Sequence, residues 1–152
     1  MRRSETLVSG PGSVRSSLRL AAAALAVACA ALSGCASSKV SVRIDSKADA
    51  NGGAPFYVVV RAVDQSTFVT ESYETIAGKT FQTPKDPSLV TAEVVYPGAK
   101  KEIVVEKPKG DQGLGVYLLF TKPGERWKTA RNAPLPDTLD LTVGASQIDA
   151  EE

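Results

Sequence analysis

The sequence of 152 residues has no histidine, and its two cysteines, Cys29 and Cys35, both lie near the amino terminus. Histidine is the side chain that titrates near neutral pH, and it is the commonest general base and metal ligand. Without histidine or a free thiol, a lipid-anchored hydrolase would need serine or aspartate activated by lysine, and no spacing in the chain supports such a pair. The composition therefore favours a structural or binding role over catalysis, and no metal site is predicted.

The chain also lacks an apolar run long enough to cross a membrane. Its longest run, residues 20–31, falls short of the about 20 residues that a spanning helix needs. Arg15 and Arg19 precede the run and small residues follow it, which is the layout of a secretory signal peptide. We therefore expect residues 1–34 to be removed, residues 35–38 to form a short tether, and residues 39–152 to fold as one periplasmic domain.

No excess of one charge marks the expected mature part. The first 34 residues carry four arginines and one glutamate, which leaves 14 basic and 16 acidic residues for the rest of the chain. A nearly neutral domain without a basic stripe argues against nucleic acid as a partner. The 118 residues from position 35 to position 152 suffice for a core that folds without a disulfide.

The tetrapeptide Leu32-Ser33-Gly34-Cys35 resembles the lipobox of bacterial lipoproteins. In those proteins the thiol is alkylated by a diacylglycerol, the chain is cut before the cysteine, and the new amino group is acylated. One acyl chain gives only marginal membrane binding, whereas two or more make attachment stable. The resemblance implies Cys35 as the lipidation site, no cofactor other than these covalent chains, and, with Ala36 next, an outer-membrane location. The alternative is an ordinary cleaved signal followed by a chance cysteine.

The mature part alternates between short strand patterns and turns rich in Gly and Pro. Strands alternate apolar and polar residues when one face is buried, and carry apolar residues on both faces when they are interior. These patterns predict strands over residues 39–45, 56–63, 88–96, 101–107, 115–121 and 138–143. Asp64 or Ser66 caps a helical insertion of one or two turns that carries Phe68 and Ile76. The fold class predicted is all-β, an antiparallel two-sheet β-sandwich with one or two short helical insertions.

Local patterns predict four further features. Strand 88–96 is expected to bury Val90, Ala92, Val94 and Tyr96, and Phe81 is expected to anchor the loop 78–87 in the core. Trp127 is expected to pack in the core or at the end of the sandwich, although tryptophan is also a favoured interface anchor. Its basic neighbours Arg126 and Lys128 are expected in a solvated turn. Residues 145–152 are either an edge segment pinned by Ile148 or a frayed end.

In order and spacing, the mature chain resembles the TssJ family, the outer-membrane lipoproteins of the type VI secretion system. The residues that carry this resemblance are Cys35, Asn51, Gly53, Pro55, Val58, Val60, Arg61, Phe68, Pro97-Gly98, Leu114-Gly115-Val116, Trp127 and Lys128. The end of the second strand, Ala62-Val63-Asp64-Gln65, departs from the family pattern. The resemblance implies a transthyretin-like sandwich and a scaffolding role.

In that family the protein holds the periplasmic C-terminal domain of TssM, an inner-membrane protein, against the outer membrane within a multi-subunit envelope complex. The resemblance implies that the loop 46–54 makes this contact, with Lys47, Asp49, Asn51 and Gly52 as partner-binding residues. Asn-Gly-Gly also predicts a turn, so the loop is alternatively a plain connection between strands. A periplasmic ligand-binding or pilotin-like lipoprotein on the same sandwich is the second hypothesis.

Overall fold

The computed structural model describes residues 38–152, so the predictions for the signal peptide and for Cys35 lie outside the described residues. Eight strands, two α-helices and a short 3₁₀ turn (Ala50–Gly53) follow one another along this part of the chain. The strands are β1 (Lys39–Ser46), β2 (Phe56–Val63), β3 (Leu89–Val95), β4 (Lys100–Glu106), β5 (Gly113–Leu119), β6 (Lys128–Arg131), β7 (Thr138–Val143) and β8 (Ile148–Glu151). The helices are α1 (Gln65–Thr70) and α2 (Tyr73–Phe81), both between β2 and β3.

The strands form two four-stranded sheets, which confirms the predicted β-sandwich. Sheet I has the strand order β4-β1-β7-β8, and sheet II has the order β3-β2-β5-β6. All neighbouring strands are antiparallel except β1 and β7, which pair in parallel from Ser41 opposite Thr138 to Ser46 opposite Val143. The predicted purely antiparallel arrangement is therefore corrected at this one pair.

The core lies between the two sheets, where the alternating apolar residues of sheet I meet those of sheet II. The predicted inward positions of β1, β4 and β7 are confirmed, since each is at most 5% exposed. The main contributors are Val40, Val42, Ile44, Ile103, Val105, Leu139, Leu141 and Val143 from sheet I, and Val58, Val60, Val116 and Leu118 from sheet II. A continuous apolar interior of this kind supplies most of the driving force for folding.

Sheet II is covered on its outer face as well, because the helical segment folds back over it. Val59 and Tyr117 are fully buried there together with Ile76 of α2. The interior character predicted for β2 and β5 is thereby confirmed. Asp64 caps α1 by accepting a hydrogen bond from the Thr67 N–H at 2.8 Å, and Ser72 caps α2 in the same way.

Strand β3 presents the opposite face to the one predicted. Val95 is buried in the core. Of the residues predicted to be buried, Ala92 packs beneath the helices, whereas Val90 and Tyr96 are 40% and 63% exposed. Both faces of this edge strand carry apolar residues, so alternation alone does not select one. A bulge between Val60 and Arg61 in the neighbouring strand also shifts the register, so that Leu89 packs beneath the helices.

The remaining outcomes concern the irregular segments, where the helical insertion is longer than the one or two turns predicted. Gly78 to Phe81 belong to α2 rather than to a loop, and Phe81 is 59% exposed, so it does not anchor in the core. Strand β6 was missed because its sequence, Lys-Thr-Ala-Arg, has no strand pattern and is ordered by pairing with β5. The carboxyl-terminal residues form the edge strand β8 with Ile148 buried, as one of the two alternatives predicted.

Candidate functional site

The loop predicted to bind a partner lies at one end of the sandwich, which we call the loop end. Strand directions in both sheets bring four connections together there, namely residues 47–55, 96–99, 120–127 and 144–147. Strand β1 starts at the opposite end of the sandwich and reaches the loop end at Ser46. Its eight residues, at about 3.3 Å each, separate the two ends by about 25 Å.

Asn51 holds these connections together. Its backbone is left-handed (φ 50°), a conformation that asparagine tolerates better than most residues. Its side-chain amide donates to the carbonyls of Ala54 at 3.2 Å and Pro55 at 2.9 Å, and its carbonyl oxygen accepts the Thr121 N–H at 2.7 Å. The side chain of Asn51 is therefore engaged inside the domain, where it fixes the shape of the loop end.

The other three predicted partner-binding residues lie at the surface of the same loop. Lys47 forms an ion pair with Asp149, with Nζ and Oδ2 2.6 Å apart, and this hydrogen bond raises the pKa of Lys47. Asp49 and Gly52 are exposed, and Gly52 has a positive φ of 64° that suits a glycine. The structure thus brings Lys47, Asp49 and Gly52 to one surface, supported from beneath by Asn51.

A pocket of about 490 Å³ opens beside this loop. It is lined by Asn51, Gly52, Ala54, Thr121, Lys122, Ala145 and Ser146, which come from three of the four connections. Small residues in each turn are visible in the sequence, but only the stacking of the two sheets brings the turns together. The pocket was therefore missed by sequence reasoning, and we call it the loop-end pocket.

A buried ionic cluster on the outer face of sheet II was also missed. Arg61 donates from one nitrogen to both carboxylate oxygens of Glu71 at 2.7 Å, and Lys79 lies 2.9 Å from the same carboxylate. The Tyr117 hydroxyl donates to Glu71 at 3.1 Å. Burial alone would raise the pKa of Glu71, but the bonds from Arg61 and Lys79 outweigh it and leave this pKa lowered. The cluster attaches the link between α1 and α2 to the sheet.

Trp127 and Lys128 strengthen the same attachment. Trp127 packs against Tyr73 and Tyr117, with ring centroids 5.1 and 5.8 Å apart, which confirms the predicted packing role. The predicted solvated turn is wrong for Lys128, whose ammonium group donates to the carbonyls of Phe68 and, at 2.8 Å, Glu71. Burial lowers the pKa of Lys128.

Two properties of residues 38–152 bear on other site types. Their acidic side chains form no group of three or more that could hold a metal ion. None of their helices has the length and apolar character that crossing a bilayer requires.

The fold defines a class, that of two-sheet β-sandwich domains with short helical insertions. Solved structures of the same fold include the type VI secretion lipoprotein TssJ1 from Pseudomonas aeruginosa, 18% identical, with 76% of this chain and 95% of that chain covered at a TM-score of 0.59. Serratia marcescens Lip, a membrane-bound component of the type VI secretion system, is 16% identical over 72% of this chain and 94% of its own, also at 0.59. A third structure, described as the TssM C-terminal domain from EAEC, matches at 14% identity and 0.58, covering 72% and 94% of the two chains.

A match between the sequence and a family model shows which family the chain belongs to. The model of the IglE N-terminal domain matches residues 57–143, which is more than half of the chain, and the chain belongs to this family. No curated protein matches the sequence. The resemblance to the TssJ lipoproteins is confirmed in the fold that the two share.

Proposed function

We propose that this protein is a lipid-anchored, non-enzymatic structural subunit of a type VI secretion envelope complex. It holds the periplasmic C-terminal domain of a TssM-like inner-membrane protein at the outer membrane. We call residues 46–54, which are proposed to touch the partner, the contact loop. The observation that carries the proposal is that this loop and the start of β1 lie at opposite ends of the sandwich. Lipoproteins of this secretion system with the same fold support it.

The short link from Cys35 to β1 and the length of β1 suit a protein that joins the membrane to a partner. Cys35 precedes Lys39 by four residues, which reach at most about 14 Å when fully extended. A lipid on Cys35 keeps the starting end of β1 near the bilayer, and the loop end then lies about 25 Å further along the strand direction. With β1 directed away from the bilayer, Lys47, Asp49 and Gly52 would face a protein that spans the periplasm.

The loop end offers a preorganised surface rather than a flexible loop. Hydrogen bonds join it across the sheets, from Gly98 N–H to the Lys47 carbonyl at 3.1 Å and from Asn51 N–H to the Ala145 carbonyl at 2.9 Å. Such rigidity reduces the entropy that binding must overcome. The exposed charges of Lys47 and Asp49 then serve register and specificity more than raw affinity.

The anchor is tested by substituting Cys35 and separating the membranes. We expect Cys35→Ser to be lost from the outer membrane and to stop secretion, because no thiol remains to be acylated. Cys29→Ser makes the same change inside the apolar run and should leave the protein in the outer membrane. Retention of Cys35→Ser in the outer membrane would contradict the anchoring role.

The contact is tested by co-purifying the TssM-like protein from native membranes. Asp49→Lys reverses an exposed charge on the contact loop, and we expect it to reduce recovery of the partner. Asp111→Lys makes the same reversal on an exposed turn at the opposite end of the sandwich, so it should have no effect. Equal recovery with both variants would argue against a contact through this loop.

The loop-end pocket is the observation that favours the second hypothesis, a periplasmic ligand-binding protein. Its volume of about 490 Å³ lies within the range of small-molecule sites. Failure of the wild-type protein to recover any TssM-like partner would favour this alternative.

A further inference from the structure

The loop-end pocket is walled by backbone and very short side chains. Gly52, Ala54 and Ala145 contribute no more than a methyl group each, and all three are exposed. The volume of about 490 Å³ exists because none of these positions carries a side chain large enough to fill it. The pocket therefore has the shape of a socket for a group that the domain does not itself provide.

The socket is rigid before anything binds. Thr121 is tied to Asn51 at 2.7 Å, and Gly124 N–H donates to the Ser146 carbonyl at 2.7 Å, so each of the three connections is bonded to another. The Asn51 side chain, only 9% exposed, lies at the centre of these bonds. A preformed pocket of this kind spares the ordering entropy that a flexible loop would lose on binding.

One wall carries a cation, Lys122, that has no partner among residues 38–152. The ammonium group of Lys122 makes no ion pair or hydrogen bond with any residue between positions 38 and 152, and its side chain is exposed at the edge of the pocket. On the same end of the sandwich, Lys47 is neutralised by Asp149. A ligand with a negative charge beside an apolar group would match both the ammonium group of Lys122 and the walls formed by Gly52, Ala54 and Ala145.

We infer that the loop-end pocket receives one large apolar side chain, aromatic or leucine-like, from the protein partner, with a carboxylate of the partner paired to Lys122. This inference rests on the proposed function, since it names how the partner is held. Protein interfaces concentrate their affinity in a few large side chains, aromatic ones above all, that insert into well-formed pockets. A small molecule fits less well, because ligand sites enclose most of the ligand surface and the walls here are exposed.

The socket is tested by filling it. Ala145→Trp places an indole at an exposed wall position, and Ala150→Trp makes the same change on an exposed residue of β8 outside the pocket. Binding of the full lipoprotein in detergent is titrated against the periplasmic C-terminal domain of the TssM-like protein from the same organism. We expect Ala145→Trp to weaken binding about 30-fold or more, the loss typical of blocking a central anchor, and Ala150→Trp to leave it unchanged. Ala54→Trp fills the pocket from another wall and should act alike.

The charge is tested separately. Lys122→Glu should weaken binding further than Lys122→Met, and the salt dependence of the wild-type affinity should be reduced in both variants. Thermal unfolding of each variant checks that the fold is kept. Unchanged binding of both Ala145→Trp and Ala54→Trp, with the wild type binding normally, would overturn the socket and leave the proposed function standing. Absence of binding by the wild type would overturn the proposed function itself.

Discussion

The outer faces of the two sheets carry the same type of ion pair in opposite surroundings. On sheet I, Arg43 and Glu102 lie 3.3 Å apart, with side chains 56% and 53% exposed. On sheet II, Arg61 and Glu71 lie 2.7 Å apart, with side chains 3% and 5% exposed. The difference is the helical segment, which covers sheet II and leaves sheet I in solvent. Identical functional groups therefore contribute very differently to stability.

The physical reason is the solvent around each charge. Water and salt screen Arg43 and Glu102, and either side chain can be solvated alone when the other is removed. Arg61 has exchanged water for Glu71, Ser88 and Asp86, and Glu71 has exchanged it for Arg61, Lys79 and Tyr117. A missing partner therefore leaves a buried charge unsatisfied. The buried cluster is consequently far more sensitive to a single substitution than the exposed pair on sheet I.

The largest effect is expected for Arg61→Leu. The variant leaves Glu71 buried without its principal donor, and breaking a buried ion pair from one side costs about 3–5 kcal/mol. Urea unfolding followed by tryptophan fluorescence measures the loss, because Trp127 packs against Tyr117 beside the cluster. The helical segment should also become more accessible to proteases, since Glu71 joins α1 to α2.

A double variant sharpens this prediction. Arg61→Leu with Glu71→Leu removes both buried charges, so it should be more stable than Arg61→Leu alone. If the two substitutions instead add their separate losses, the pair contributes through packing and not through its charges.

A smaller effect is expected when the carboxylate is neutralised by acid. The bonds from Arg61 and Lys79 hold the pKa of Glu71 below its ordinary value of 4.5 although burial opposes this. Because the folded pKa is the lower one, the stabilisation is fully present above about pH 4.5 and is lost as the pH falls through the folded pKa. The free energy of unfolding should therefore decline below pH 4.5, and Glu71→Gln should make that decline shallower.

Glu102 on sheet I supplies the matched control for the acid titration. Bonds from Ser41 and Arg43 lower the pKa of Glu102 too, but the group is exposed to solvent. Glu102→Gln should leave the pH dependence close to that of the wild type. If Glu71→Gln also follows the wild-type curve, the pKa of Glu71 is the same in the folded and unfolded protein, and the bonds from Arg61 and Lys79 do no more than offset burial.

The contrast between the faces also explains what the sequence could predict. Strands β1, β4 and β7 have one face in water, so their alternating residues identified both the strand and its buried side. Strand β3 has both faces partly covered, so its pattern was ambiguous, as the exposed Val90 shows. Helix α2 contains Thr75 and Gly78, which disfavour helix, so its extent was underestimated. Strand β6 has no pattern of its own because its order comes from β5.

The candidate site was predictable only in part. Turn chemistry located the loop at Asn51 and Gly52, since these residues tolerate positive φ. The pocket beside it depends on Thr121 and Ala145 arriving from distant turns, which no local pattern encodes. One signal for the buried cluster was available and unused: Arg61 stands in a strand predicted to be interior, and a charge there requires a partner.

The smallest effect is expected for Arg43→Ala on sheet I. Its pairs with Glu102 and Asp140, at 3.3 and 3.9 Å, lie among exposed side chains, so water replaces each contact that is lost. The midpoint of urea unfolding should stay within error of the wild type, at low salt and in 0.5 M salt alike. A clear loss of stability at low salt that disappears at high salt would show that the charges of this face act as a network. The ion pairs on the outer faces of both sheets would then stabilise the fold, and only the size of their contribution would differ.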